Sequence, residues 1–366
     1  MTGLEAELKH RIERDGPIPV AEFMSLALGH PEHGYYIKQD PFGAAGDFIT
    51  APEISQCFGE LIGIWAVAVW EQAGAPSPVN LIELGPGRGT LMADALRAAA
   101  QRPAFLQSVR VHLVETSPFL REAQGKSLDR SGLANIPVWH DALETVPDGP
   151  SIIVANEFFD ALPIRQVVFT SAGWRERLIG MVDGELRFLA DAGTPDMSPA
   201  IPAALRNTAK PGDIFEYCPA AQAAMDDMAR RIAGDGIAAL FFDYGHAQSA
   251  LGDTFQAVHH HEPVDVLSSP GDVDLTAHVD FEALAATASR AAQTHGPITQ
   301  GDFLRRLGIE YRRDALAEKA TPQQADLVRS GVHRLIAAEE MGSLVKVLAV
   351  TPRGAAAPPA FEENTP

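Results

Sequence analysis

The chain has 366 residues, 46% apolar and 21% charged, a balance that suits a globular protein with a substantial core. Its net charge of −19 argues against nucleic acid as a main partner, because phosphate binding needs clustered lysine and arginine, and it is compatible with a basic substrate. The two cysteines, Cys57 and Cys218, lie far apart, which excludes a disulfide scaffold and a cysteine zinc site.

In chain order, a short amphipathic helix is predicted over residues 3–14 and is stopped by Gly16-Pro17-Ile18-Pro19. A second runs from Val20 to Leu28, followed by a loop-rich stretch from His30 to Pro52. Glu53 to Ala73 reads as one long buried helix, whose Phe58 to Trp70 part could serve a homodimer interface. Its most apolar run, Leu61 to Trp70, is about half the length that spans a bilayer, so no membrane insertion is expected. Glu5, Glu7, Glu13 and Asp15 are unlike a transit peptide, so the expected location is the bacterial cytoplasm.

From Val79 the pattern alternates between strand and helix, which predicts a parallel sheet with helices on both faces. The strands are Val79 to Leu84, Val109 to Glu115, Ile136 to His140, Ser151 to Asn156, Ile237 to Phe242 and Leu344 to Val350. Helices are predicted at Thr90 to Ala100, Pro118 to Leu128 and Ala220 to Ala233. Arg165 to Ala190 interrupts the alternation with a β-hairpin turning at Asp183-Gly184. The expected domains are a helical cap and lid loop over residues 1–75 and a core over 76–352. That core carries insertions at about 165–235 and 259–341, and a disordered tail covers 353–366.

Between the first strand of the sheet and its helix stands Glu83-Leu84-Gly85-Pro86-Gly87-Arg88-Gly89-Thr90. The glycines permit a tight turn and a close backbone approach to a ligand. A dinucleotide fingerprint has the spacing G-x-G-x-x-G, and here the third glycine comes one place early. An acidic residue late in the strand followed by glycines at alternate positions resembles the turn with which class I methyltransferases hold S-adenosylmethionine. On that resemblance Glu83, Gly85, Gly87 and Gly89 bind the cofactor, with Glu83 near its methionine part.

Rossmann-like sheets bind ligands beyond the carboxyl ends of their strands. Glu115 ends the second strand, where a carboxylate can accept both ribose hydroxyls, and Asp141 follows the third, where one can accept an adenine amino group. Asn156-Glu157-Phe158-Phe159-Asp160 ends the fourth and would face the transferred methyl. Each carboxylate alone is as readily a helix cap or a solvated loop residue; their recurrence at successive strand ends makes the case.

Longer blocks identify the resemblance as one to the MidA-like family of class I methyltransferases. They are Gly46-Asp47-Phe48-Ile49-Thr50-Ala51-Pro52-Glu53-Ile54-Ser55-Gln56, the glycine turn through Leu91, Ala155-Asn156-Glu157-Phe158-Phe159-Asp160-Ala161-Leu162-Pro163, Asp243-Tyr244-Gly245-His246, Asp274-Leu275-Thr276-Ala277-His278-Val279-Asp280-Phe281 and Met341-Gly342. The family implies an α/β fold with a Rossmann-like seven-stranded sheet, S-adenosyl-L-methionine as cofactor, and methylation of an arginine in a respiratory complex I subunit.

A guanidinium is always charged and a poor nucleophile, so its site needs carboxylates. Glu157 is the first candidate for that contact, with Asp160 three residues on and with Asp243 and Tyr244 lining the channel. Asn156 and Asp47 are candidates for the cofactor side, Asp47 in a loop that could close over it, while Glu53 reads equally as a helix cap. His259-His260-His261 suggests metal, but adjacent histidines on a strand point to opposite faces, so no metal is expected. Two other readings stay open: a catalytically silent assembly chaperone and a nicotinamide-dependent oxidoreductase.

Overall fold

All six residues of Val79–Leu84 are buried, as in a strand covered on both faces, and this strand lies inside a largely parallel sheet. The computed structural model describes residues 2–38, 49–129, 136–191, 193, 195–259 and 262–362. The chain divides into two compact units, one formed by Met1–Phe48, Phe159–Ala223 and Gln248–Asp280, the other by Ile49–Phe158, Ala224–Ala247 and Phe281–Pro366.

The second unit carries the sheet, with strands β1 (Val79–Leu84), β2 (Val109–Val114), β3 (Val138–His140), β4 (Ser151–Asn156), β5 (Ile237–His246), β6 (Gln293–Thr299) and β7 (Val345–Thr351). They lie in the order β6-β7-β5-β4-β1-β2-β3. β1 runs parallel to β2 and β4, β2 to β3, and β4 to β5, while β7 is antiparallel to both β5 and β6. The chain steps outward one way from β1 through β2 to β3 and the other way from β4 to β5. The order therefore reverses between β1 and β4, and the carboxyl ends of those strands form the crevice where ligands bind such sheets.

Five helices matter for that crevice: α1 (Ala51–Ile54), α2 (Gln56–Gln72), α3 (Thr90–Ala99), α4 (Pro118–Leu128) and α5 (Pro322–Ile336). The single helix expected over 53–73 is broken at Ser55, which is extended and uses its hydroxyl to accept from the Cys57 N–H. α2 is buried along most of its length within its own unit, so its apolar surface is used inside the chain. Gly59 and Gly63 allow that packing, since a Cβ would fall 2.7 Å from the Asp94 side chain and 2.2 Å from the Ala95 carbonyl of α3.

The other unit has its own core around Leu4, Leu8, Ile12, Phe23, Met24 and Tyr35. Its antiparallel sheet joins Ile18–Pro19, Gly173–Val182, Arg165–Thr170 and Ile214–Tyr217, with Glu185–Ala190 paired to Gly173–Val182. The predicted turn is there, with Asp183 and Gly184 at φ +51° and +80° as a type I′ hairpin requires.

The expected boundaries differ from these units. Residues 49–75 belong with the sheet instead of with the N-terminal helices, because α1 and α2 pack there. The stretch read as a second insertion, 259–341, divides at Asp280, and β6 lies after that division, with the sheet. The tail read as disordered is packed as far as it is described: the Trp65 indole donates to the Pro359 carbonyl at 3.3 Å, and Phe361 meets Phe303 with centroids 5.7 Å apart.

Candidate active site

The turn after β1 holds Gly85, Gly87 and Gly89 at φ +59°, +52° and +80°, in the left-handed region that disfavours side chains. A Cβ on Gly85 would also stand 3.2 Å from the Phe158 ring, and one on Gly89 3.1 Å from the Gln124 Cα. Glu83, in the preceding strand, is 3% exposed. Its Oε2 has no hydrogen-bond partner among the described residues. Burial pushes its carboxyl up to about 8.

β4 ends beside it, with Leu84 opposite Ala155 in the register and Asn156 next. The Asn156 Nδ2 donates to Glu157 Oε1 at 3.3 Å, and its Oδ1 is a second buried oxygen lacking a partner among the described residues. Glu157 has φ +51°, uncommon for a residue with a side chain. Its Oε1 also accepts from the Ala51 N–H at 3.2 Å. Burial raises this carboxyl to about 7, against the opposing pull of the Ala51 N–H, Asn156 and Arg334.

Asp243 on β5 is fully buried but has a different task. Its Oδ2 accepts from the Phe158 N–H at 3.1 Å and its Oδ1 from the Tyr244 N–H at 2.9 Å. Together with the 2.9 Å bond from the Glu157 N–H to the Phe242 carbonyl, these bonds hold the turn that bears Glu157. Asp243 thus shapes the backbone that carries Glu157. Tyr244 packs half-buried against the core of the sheet.

After β2, Glu115 accepts from the Ser117 N–H at 2.8 Å and from Gln124 Nε2 at 3.2 Å. Burial raises its carboxyl despite those donors. Asp141, after β3, has an 82% exposed side chain that pairs with Arg121 at 2.6 Å. Asp160 is grouped with the other unit, where its carbonyl accepts from the Ala277 N–H at 3.0 Å. In that unit the Tyr36 hydroxyl donates to Asp274 at 3.1 Å and, through burial and the nearby Asp274 and Asp160, holds its proton well above the usual range. Asp47, His260 and His261 lie outside the described residues.

Sequence reasoning missed Gln124. It is fully buried, and its amide donates to the Gly87 carbonyl at 2.7 Å and to Glu115 while accepting from the Trp139 indole at 2.7 Å. One side chain thus ties the glycine turn to the carboxylate after β2. Its signal was present, since Gln124 sits midway between the buried Leu120 and Leu128 at i±4, and a polar residue on a helix's buried stripe needs partners. Ser127 adds a further tie, its hydroxyl donating to the Arg88 carbonyl at 2.8 Å.

Residues 61–298 match the family model described as "Putative S-adenosyl-L-methionine-dependent methyltransferase". The protein arginine methyltransferase NDUFAF7, mitochondrial, of Xenopus tropicalis is 39% identical over 380 residues, covering 96% of this chain and 87% of its own. The Homo sapiens protein of that name is 38% identical over 376 residues, with 96% and 84% covered. A Burkholderia thailandensis structure with S-adenosyl-homocysteine bound has a TM-score of 0.83 at 29% identity, over 98% of this chain and 93% of that one. The expected bacterial cytoplasmic location is overturned, because these curated relatives are mitochondrial proteins. The acidity of the first residues bears on that segment alone, and compartment does not follow from it.

Proposed function

Because the chain belongs to the family of S-adenosyl-L-methionine-dependent methyltransferases, we propose that it methylates an arginine side chain of a protein, a subunit of respiratory complex I. The strand path β6-β7-β5-β4-β1-β2-β3 is read as the seven-stranded methyltransferase sheet. The observation that carries the proposal is the pair of buried oxygens without a partner among the described residues, Glu83 Oε2 and Asn156 Oδ1, where the strand order reverses. Glu83 lies opposite Val154 in the register and Asn156 is two residues on, so the two side chains belong to one face of the sheet; acceptors there suit a cation, and the cofactor's α-ammonium is one. Bound there, S-adenosylmethionine supplies an electrophilic methyl group on a sulfonium.

The chain's own residues would do the rest. Gly85, Gly87 and Gly89 let backbone approach the ligand where a Cβ would intrude. Glu115, oriented by Ser117 and Gln124, is suited to the ribose hydroxyls. Asp141, exposed beside Arg121, is suited to the adenine amino group. Glu157 would take the guanidinium through two N–H groups and fix its free nitrogen in line with the methyl. The nitrogen that gains a methyl must release a proton for the guanidinium to keep a single charge. A carboxyl raised to about 7 is well matched to receive it near neutral pH.

The test is calorimetric titration with S-adenosylmethionine, then incubation of complex I subunits with methyl-labelled cofactor and a search for methylarginine in hydrolysates. Saturable binding and labelled arginine are expected from the native protein, with unchanged binding but no label from Glu157→Gln. Absence of binding would remove the cofactor assignment; binding with label on another residue type would remove the acceptor.

A further inference from the structure

Glu157 is held from two sides, and one of those holds leads away from the reaction. Its Oε1 accepts from the backbone N–H of Ala51 at 3.2 Å. Two residues on, Glu53 accepts from the hydroxyl of Thr90, the first residue of α3 and the one directly after Gly89. Between these points the segment is tightly wound, with the Glu53 and Ile54 N–H groups both donating to the Thr50 carbonyl, at 2.9 and 3.1 Å. From outside it is backed by α5, where a Cβ on Gly331 would lie 2.9 Å from the Ile54 carbonyl. The segment therefore has little room to move by itself.

We infer that residues 50–54 form a strut that positions the Glu157 carboxylate and couples it to the glycine turn, with the Ala51 N–H and the Glu53–Thr90 hydrogen bond as its two ends. This rests on the reading of Glu157 given above. Glu157 needs such an anchor because its left-handed backbone is sustained only by surrounding bonds, as is common for strained residues at reaction centres. The Ala51 N–H stabilises the ionised carboxylate, as do Asn156 on β4 and the charge of Arg334 on α5. Asp243 on β5 fixes the neighbouring Phe158 backbone, and Glu53 on α1 is engaged by Thr90. Ala51 and Thr90 are positioning residues, since they act through Glu157 and touch no reacting atom.

The backbone donor can be deleted almost in isolation. Thr50 has φ −75° and ψ 163°, the extended conformation a residue before proline requires, and Ala51 opens its helix, where proline is tolerated. The experiment follows the Glu157 carboxyl by carbon-13 NMR in the full-length, cofactor-free protein, its signal assigned by loss in Glu157→Gln. Ala51→Pro should raise the Glu157 midpoint by about one pH unit, and Thr90→Val, which frees the far end of the strut, by roughly half a unit. In both variants S-adenosyl-homocysteine affinity should stay within about threefold of native, because neither change touches Glu83 or Asn156.

A native Glu157 midpoint in Thr90→Val overturns the coupling, and a native midpoint in Ala51→Pro overturns the anchor. Should Ala51→Pro fail to fold, Thr90→Val decides alone. Methyl transfer by Glu157→Gln separates the two levels. If that variant still transfers methyl, the reading of Glu157 falls; if it is inactive while both midpoints stay native, only the strut falls.

Discussion

Glu83 and Asp243 belong to the same sheet and are almost equally sealed, at 3% and 0% exposure, yet they are opposite kinds of buried carboxylate. Asp243 has backbone N–H groups on both oxygens, and with them it builds the turn after β4. Glu83 has an oxygen with no partner among the described residues. A buried acceptor left unmade costs about 1–3 kcal/mol, so a fold retains one where something other than the fold completes it. The difference teaches that residue type and strand-end position do not separate a brace from a binding group. Whether the surrounding N–H groups have already claimed its oxygens does.

The comparison breaks most readily by amide substitution. In Asp243→Asn one oxygen becomes an NH2 that faces a backbone N–H, and the loss of stability should be roughly 3 kcal/mol, read as a lower denaturant midpoint. Glu83→Gln should melt at or above the native temperature and lose about a hundredfold or more in S-adenosylmethionine affinity, as expected where one charge-assisted bond is lost. If both variants melted alike, the two carboxylates would not differ in the way their bonds say. Gln124→Ala comes next in size. It strips partners from the Gly87 carbonyl, Glu115 and the Trp139 indole, and should cost about 2 kcal/mol of stability together with roughly tenfold in affinity.

Protons sharpen the same contrast. Burial pushes the native Glu83 carboxyl up to about 8, whereas unfolded glutamate titrates near about 4.3. The native state thus holds a proton that the unfolded state has released, and stability falls as pH rises between those values. Glu83→Gln should flatten that part of the stability profile. A cation at the site reverses the preference, so cofactor binding at pH 7 should release a proton, visible as a binding enthalpy that varies with the buffer's ionisation heat. A buffer-independent enthalpy would mean that the ligand's cation does not meet Glu83.

Much of this was legible in the sequence. The glycine turn could be read because strand, turn and helix are contiguous, and the helix expected from Pro118 to Leu128 has those bounds. β6 escaped because Gln293–Thr299, the sequence QTHGPIT, has no apolar run and no clean alternation. The anchor of Glu157 could not be read, since its donor is a backbone N–H far away in sequence, and any residue but proline would supply one. The division into two units was hidden for a related reason: each is assembled from three separated stretches.

The smallest predicted effect comes from a third buried group. His112 on β2 shares a 2.9 Å hydrogen bond with His140, and its Nε2 has no partner among the described residues. Burial, with His140 beside it, pushes its ring down to about 4. A base with a depressed native pKa favours the folded state above the unfolded value, near about 6.5, and that contribution is lost as pH falls through the native value. Replacement by phenylalanine should therefore reduce the acid sensitivity of stability between those limits by about 1 kcal/mol, taken well below the full shift because the strand relaxes. Unlike Glu83, His112 lies within β2 rather than where the strand order reverses, so S-adenosyl-homocysteine affinity should not change in His112→Phe. A large loss of affinity there would show that an unsatisfied buried atom marks a ligand site wherever it occurs. The expected result is narrower: it does so only where the topology also opens a crevice.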